Sequence, residues 1–223
     1  MHHFNVILEL LGITGAVLFY GRFYIQWIAS EIQKRSVVPV AFWYMSGFGS
    51  VTLLLYGVLS GSPLGSLSHC FNTIIYSRNL VHIWREKGVL TPARSRWFHG
   101  GIALIVLTGV MLVTYTWLHE YLHTQDADMN TQARNWLWLA IGVFGQGLFA
   151  LRFLIQWAIT ELRKKSTIPP AFWYISVVAS ILMMSSHFQR HEWLYAIGIG
   201  STLFVYLRNI YMVHFRKESV VAE

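Results

Sequence analysis

Cysteine is almost absent. The one thiol among 223 residues, Cys70, can form neither an internal disulfide nor a cysteine-based metal cage, so it says nothing about redox compartment. Charge is scarce as well: 12% of residues are charged, with 10 acidic side chains against 17 basic ones. There is no carboxylate pair set to divide general-acid and general-base roles, no glycine-rich nucleotide loop and no activated nucleophile, which argues against bond-making chemistry by this chain alone. Nor does any polar domain interleave basic and aromatic residues, so the net charge of +7 does not point to a nucleic-acid partner. No cofactor is expected.

What is present is apolar. With 55% hydrophobic residues, the chain has more apolar surface than a water-soluble core of this size would bury, and it belongs in a bilayer. Crossing roughly 30 Å of hydrocarbon takes about 20 helical residues. Seven stretches qualify, at about 5–29, 40–60, 63–84, 99–118, 135–160, 171–188 and 192–214. The first is kept as a span because its flank, "MHHFN", has no Lys or Arg and no small-residue cleavage pattern follows. Cytoplasmic loops retain Lys and Arg. With the first loop inside, the inner side collects Lys34, Arg35, Arg85, Lys87, Arg94, Arg96, Arg163, Lys164, Lys165, Arg216 and Lys217, against Arg134 and Arg190 outside. This places the N-terminus outside the membrane and the C-terminus in the cytoplasm, with the loop charges near anionic headgroups.

The chain also writes one passage twice. Residues 22–46 read "RFYIQWIASEIQKRSVVPVAFWYMS" and residues 152–176 read "RFLIQWAITELRKKSTIPPAFWYIS". The copies align without a gap at an offset of 130, from about Gly12/Gly142 to Asn79/Asn209, and the match includes Phe19/Phe149, Ser46/Ser176 and Tyr76/Tyr206. An ungapped match over three spans indicates a duplicated three-helix unit. The fourth span, "GGIALIVLTGVMLVTYTW", has no counterpart. Because three spans end on the side opposite their start, one linker helix is needed to begin the second copy in the same orientation. The expected fold is an all-α integral membrane protein of seven transmembrane helices, in a 3+1+3 arrangement of parallel repeats, which commonly enclose a site between them. As one membrane domain over 1–223, it divides into repeat 1 at 5–87, a linker helix at 99–118 and repeat 2 at 135–217.

The run "RF-x-x-QW-x-x-(S/T)E" through "FWY-x-S", closing on "Y-x-RN", resembles the lipid A biosynthesis N-terminal domain, a member of the PQ-loop group that includes the SWEET sugar transporters. The resemblance covers nearly the whole chain, in two tandem copies. It implies a bacterial inner-membrane protein connected with lipopolysaccharide or lipid-linked sugar metabolism. The family is linked by name to lipid A disaccharide synthase. No glycosyltransferase domain is visible here, so synthase activity does not follow.

Four arginines, Arg22, Arg78, Arg152 and Arg208, fall inside predicted spans, where each costs about 2.5–3.5 kcal/mol on insertion scales. All four lie in the cytoplasmic half by the topology above. A planar guanidinium fork suits a phosphate, and these four are expected to bind one; snorkelling to the inner headgroups is the alternative. Gln26 and Gln156 follow Arg22 and Arg152 by one turn and share their face. Asn72, Tyr76 and Asn79 form a stripe echoed by Thr202, Tyr206 and Asn209. With the glutamines, Tyr76, Asn79, Tyr206 and Asn209 would orient the ligand or read a sugar, unless they only hydrogen-bond between helices. Trp27, Trp43, Trp157 and Trp173 lie near the inner boundary, as an aromatic belt or as stacking and gating residues. Glu31, Lys34, Glu161 and Lys164 share that boundary, with Pro39 and Pro169 where the second helix of each copy begins, a place that tolerates proline. An ion pair of Arg22 with Glu31, or Arg152 with Glu161, would have to form between helices.

One motif stands apart. Residues 119–123, "HEYLH", match H-E-x-x-H, in which two histidines hold zinc and the glutamate activates water. It lies outside the duplicated unit, with Asp126 and Asp128 as the only nearby third ligands, and no metal is expected there. The function expected is a transporter or flippase for a phospholipid or polyprenyl-phosphate-linked sugar. The alternatives are a membrane anchor or regulatory partner of an envelope glycosyltransferase, and uptake of a neutral sugar, which would leave four intramembrane cations without a purpose.

Overall fold

The structure is a computed structural model and describes residues 2–33, 39–125, 127–163 and 169–215. It holds seven α-helices: α1 (His2–Gln33), α2 (Val40–Leu59), α3 (Pro63–Glu86), α4 (Pro92–Thr124), α5 (Met129–Arg163), α6 (Pro170–Gln189) and α7 (Trp193–Phe215). Local chemistry sets several of their starts. Ser62 and Thr91 cap α3 and α4, their hydroxyls accepting from Gly65 N at 3.0 Å and Arg94 N at 3.3 Å. Proline occupies the first position of α3, α4 and α6, where its missing N–H would have no intrahelical partner. In α6 that residue is Pro170, with Pro169 extended just before it at φ −70° and ψ 150°. Capping begins α4 at Pro92, ahead of the span its apolar residues mark, and the helix also runs past that span to Thr124.

Five helices are long and apolar enough to cross a membrane: α1, α2, α4, α5 and α6. The other two, α3 and α7, are equivalent third helices of the two copies. Polar residues lower their hydropathy, and in α3 those residues are buried: Ser66, Ser68, His69, Thr73 and Ser77 are each under a tenth exposed. A helix enclosed by protein has less need of an apolar surface all round.

The chain groups into two compact units, Met1–Arg22 with Val40–Asp128, and Phe23–Pro39 with Met129–Glu223. The boundary falls within α1. In the first unit α2 packs on α3 and α3 on α4. The first half of α1 approaches α2 so closely that a Cβ at Gly49 would stand 2.8 Å from the backbone nitrogen of Phe19. Only glycine permits that approach. Leu54, Cys70 and Val113 form a core where α2, α3 and α4 meet. In the second unit α5 packs on α6 and α6 on α7. The second half of α1 lies along α7, with Trp27 and Phe204 rings 6.1 Å apart and Tyr24 donating to the Ser201 carbonyl at 3.5 Å.

Candidate functional site

Each unit buries one arginine under aromatic rings. In the first, Phe19 precedes Arg22 by three residues and so shares its face of α1. The Arg22 Cζ lies 3.6 Å from the centroid of Phe19, 5.1 Å from Tyr76 of α3 and 5.4 Å from Phe42 of α2. Its Nη2 donates to the Tyr76 hydroxyl at 3.0 Å, and Nη1 donates to the Phe19 carbonyl. Arg22 is 3% exposed.

The second unit repeats the arrangement 130 positions on. The Arg152 Cζ lies 4.3 Å from the ring of Phe149, 4.9 Å from Phe172 and 5.5 Å from Tyr206. Here Nη1 donates to Ser176 Oγ at 2.6 Å, and that hydroxyl donates to the Phe172 carbonyl at 2.6 Å. The equivalent Ser46 makes the same backbone bond to Phe42, at 2.6 Å. Arg152 is 8% exposed. Three helices of each copy thus meet at a guanidinium that keeps a fixed positive charge among quadrupole faces, a contact worth about 2 kcal/mol per desolvated pair.

The remaining candidates are distributed differently. Arg208 is half-buried and pairs with Glu31, which also accepts from Trp27 Nε1 at 3.0 Å, and its guanidinium lies 5.4 Å from the Trp27 ring. The bridge between helices therefore joins Glu31 to Arg208, not to Arg22. Glu31 is exposed, so the pair adds little stability. Tyr76 and Tyr206 are buried in the two cages, with Trp43 and Trp173 each 6.3 Å away. Trp173 is buried in a cluster with Phe172 and Tyr206, while Trp43 is half-buried. Gln26, Gln156, Asn79 and Asn209 are half-buried, and Asn209 donates to the Val205 carbonyl at 2.7 Å. Pro39 immediately precedes α2. The side chains of Arg78, Trp157 and Glu161, and Lys34 and Lys164 altogether, lie outside the described residues.

Sequence reasoning missed Phe19, Phe42, Phe149, Phe172 and the serine that Arg152 bonds. The signal was available: all five recur at the offset of 130, but phenylalanine in a membrane span reads as lipid-facing until its partner helix is known.

Residues 11–81 and 141–211 each match the Lipid A Biosynthesis N-terminal domain, again 130 apart, and together they cover well over half of the chain. The chain belongs to this family. Each match contains one complete cage. Among curated proteins, the chain is similar to the lipid-A-disaccharide synthases of Chlamydia trachomatis serovar D, at 29% identity over 207 residues, and of Chlamydia muridarum, at 29% over 208 residues. It resembles that of Chlamydia pneumoniae at 26% over 213 residues. These alignments take in 90%, 90% and 94% of this chain but 33%, 33% and 34% of the relatives, so the chain spans about a third of their length. No solved structure matches it significantly.

Proposed function

We propose that this family member is an inner-membrane protein that binds a phosphate-bearing lipid or polyprenyl-phosphate-linked sugar and moves it across, or presents it within, the membrane for envelope glycan or lipid A synthesis. The observation that carries this reading is the pair of caged arginines. Burying two guanidinium groups is expensive, and both copies keep the same three aromatic residues around the charge. A phosphate would give such a charge a counter-ion, taking over hydrogen bonds that now go to the Phe19 carbonyl and the Tyr76 hydroxyl in one copy and to Ser176 Oγ in the other. In this reading all seven helices span, α3 and α7 included, with the N-terminus periplasmic and the C-terminus cytoplasmic. Arg78 adds positive charge, Arg208 does so once released from Glu31, and the half-buried amides read the attached sugar.

The test is affinity for a polyprenyl phosphate in detergent, with the neutral polyprenol as control. Arg22→Gln and Arg152→Gln should each weaken phosphate binding by roughly 10- to 100-fold, the range of a lost charge-assisted hydrogen bond. Lysine at either position should restore only part, because it keeps the charge and loses the fork. Unchanged affinity across these variants, in protein that remains folded, would remove the phosphate site.

A second reading is favoured by one observation: the relatives carry this region as about a third of a chain named as lipid-A-disaccharide synthase. On that reading the protein is a non-catalytic anchor or regulatory partner for a separate glycosyltransferase. It should then tolerate every arginine substitution that leaves it inserted, and co-purify with the enzyme.

A further inference from the structure

The segment "HEYLH" ends α4, in the linker that neither family match includes. A helix of 33 residues is about 50 Å long against about 30 Å of hydrocarbon, so its last turns extend into water. His119 and His123 are both exposed there, four residues apart on one face. Their Nε2 atoms stand 3.0 Å apart, and their rings 4.2 Å apart.

Two Nε2 atoms this close can reach one ion at metal–nitrogen distances of about 2.0–2.1 Å. Paired imidazoles suit the later first-row divalent ions, and Cu(II) is the tightest binder of that series. Among the described residues no group of three metal-ligating side chains occurs; Asp126, one of the two carboxylates the sequence offers as a third ligand, lies outside them. We propose that His119 and His123 form a two-imidazole chelate for a divalent transition ion, Cu(II) above all, with water in its remaining positions. Without metal, one Nε2–H donates to the other Nε2. This inference is independent of the phosphate reading.

The test uses the full chain in detergent, with His2→Ala and His3→Ala to remove the adjacent histidines near the start of α1, titrated with Cu(II) alone. One copper per chain is expected, with two equivalent nitrogens in its electron paramagnetic resonance spectrum. His119→Ala and His123→Ala should each weaken it by roughly 10²-fold, the advantage of a chelate over a single imidazole. Both positions are exposed, so thermal unfolding should not change, which separates lost ligation from lost fold. Affinity unaffected by either substitution, or a spectrum with a single nitrogen, would overturn the proposal. So would intense tetrahedral absorption on substitution with Co(II), which would reinstate a zinc-type site with a third ligand.

Discussion

The two copies turn the same corner with different chemistry. Between α2 and α3, Ser62 N bonds Gly57 O at 2.7 Å and Gly61 N bonds Val58 O at 3.2 Å; between α6 and α7, Glu192 N bonds His187 O at 2.9 Å and His191 N bonds Phe188 O at 3.1 Å. Both pairs are the paired closing bonds of a helix that ends in a left-handed residue. In the first copy that residue is Gly61, at φ 71°, and in the second it is His191, at φ 58°. Backbone geometry has survived duplication at this corner while the side chains have not.

What surrounds the turn differs more. The first copy uses small residues and a serine cap. The second builds a polar network: Glu192 accepts from Arg190 Nε at 3.3 Å and meets His187 Nδ1 at 2.5 Å, and Arg190 Nη1 donates to Asn135 at 2.5 Å. His187 is 1% exposed and stacks 5.0 Å from Tyr195. The cages behave in the opposite way, with every ring and the arginine retained. Residues that only close a corner have diverged, and those around the buried charge have not.

The largest expected contrast is at these corners. Glu192→Ala removes the carboxylate between a buried histidine and an arginine and should cost about 2–3 kcal/mol, while Ser62→Ala at the equivalent position should cost about 1 kcal/mol, the value of a helix cap. Unfolding in a mixed-detergent titration measures both, and equal losses would mean that the second network adds nothing beyond a cap. The cages should separate next, since their hydrogen bonds are not the same. Tyr76→Phe removes the acceptor of Arg22 and should cost about 1–2 kcal/mol, with Tyr206→Phe costing only a few tenths. Ser176→Ala should be the more harmful of the two serine substitutions, by about 1 kcal/mol over Ser46→Ala. A reversed order in the same titration would show that the cages use their hydroxyls alike. The smallest effect is at the turn itself: His191→Gly should stabilise by about 0.5–1 kcal/mol by relieving the left-handed backbone, and Gly61→Ala should destabilise by about 1 kcal/mol. A loss on His191→Gly would mean that the imidazole contributes more than the strain costs.

Much of the fold was legible because its signals are local. Apolar run length placed all seven helices, most ends within a few residues; α4 starts about seven residues earlier and ends about six later than its apolar run, and α5 starts about six earlier, because a helix continues through polar residues that hydropathy does not count. The arginines were legible as costly residues in duplicated positions, and their partners were not. Spacing puts Phe19 beside Arg22, but nothing local assigns Phe42 or Tyr76 to the same charge, since those contacts depend on how α2 and α3 are rotated against α1. The reading of HEYLH was limited in a similar way: the motif gives two histidines on one face, and only coordinates show both exposed with their Nε2 atoms within reach of one ion.

The sequence by itself determined the duplication, the family, the helical class and the presence of spans, because hydropathy and an offset of 130 are properties of residue order. Tertiary structure decided which charges are caged and which are paired. Arg22 and Arg152 differ from Arg208 in what each one faces: Arg22 and Arg152 are buried among three rings each, whereas Arg208 is half-buried and pairs with Glu31 beside the single ring of Trp27. A side chain's environment is set by the helix packed against it, and that packing depends on contacts far apart in the chain.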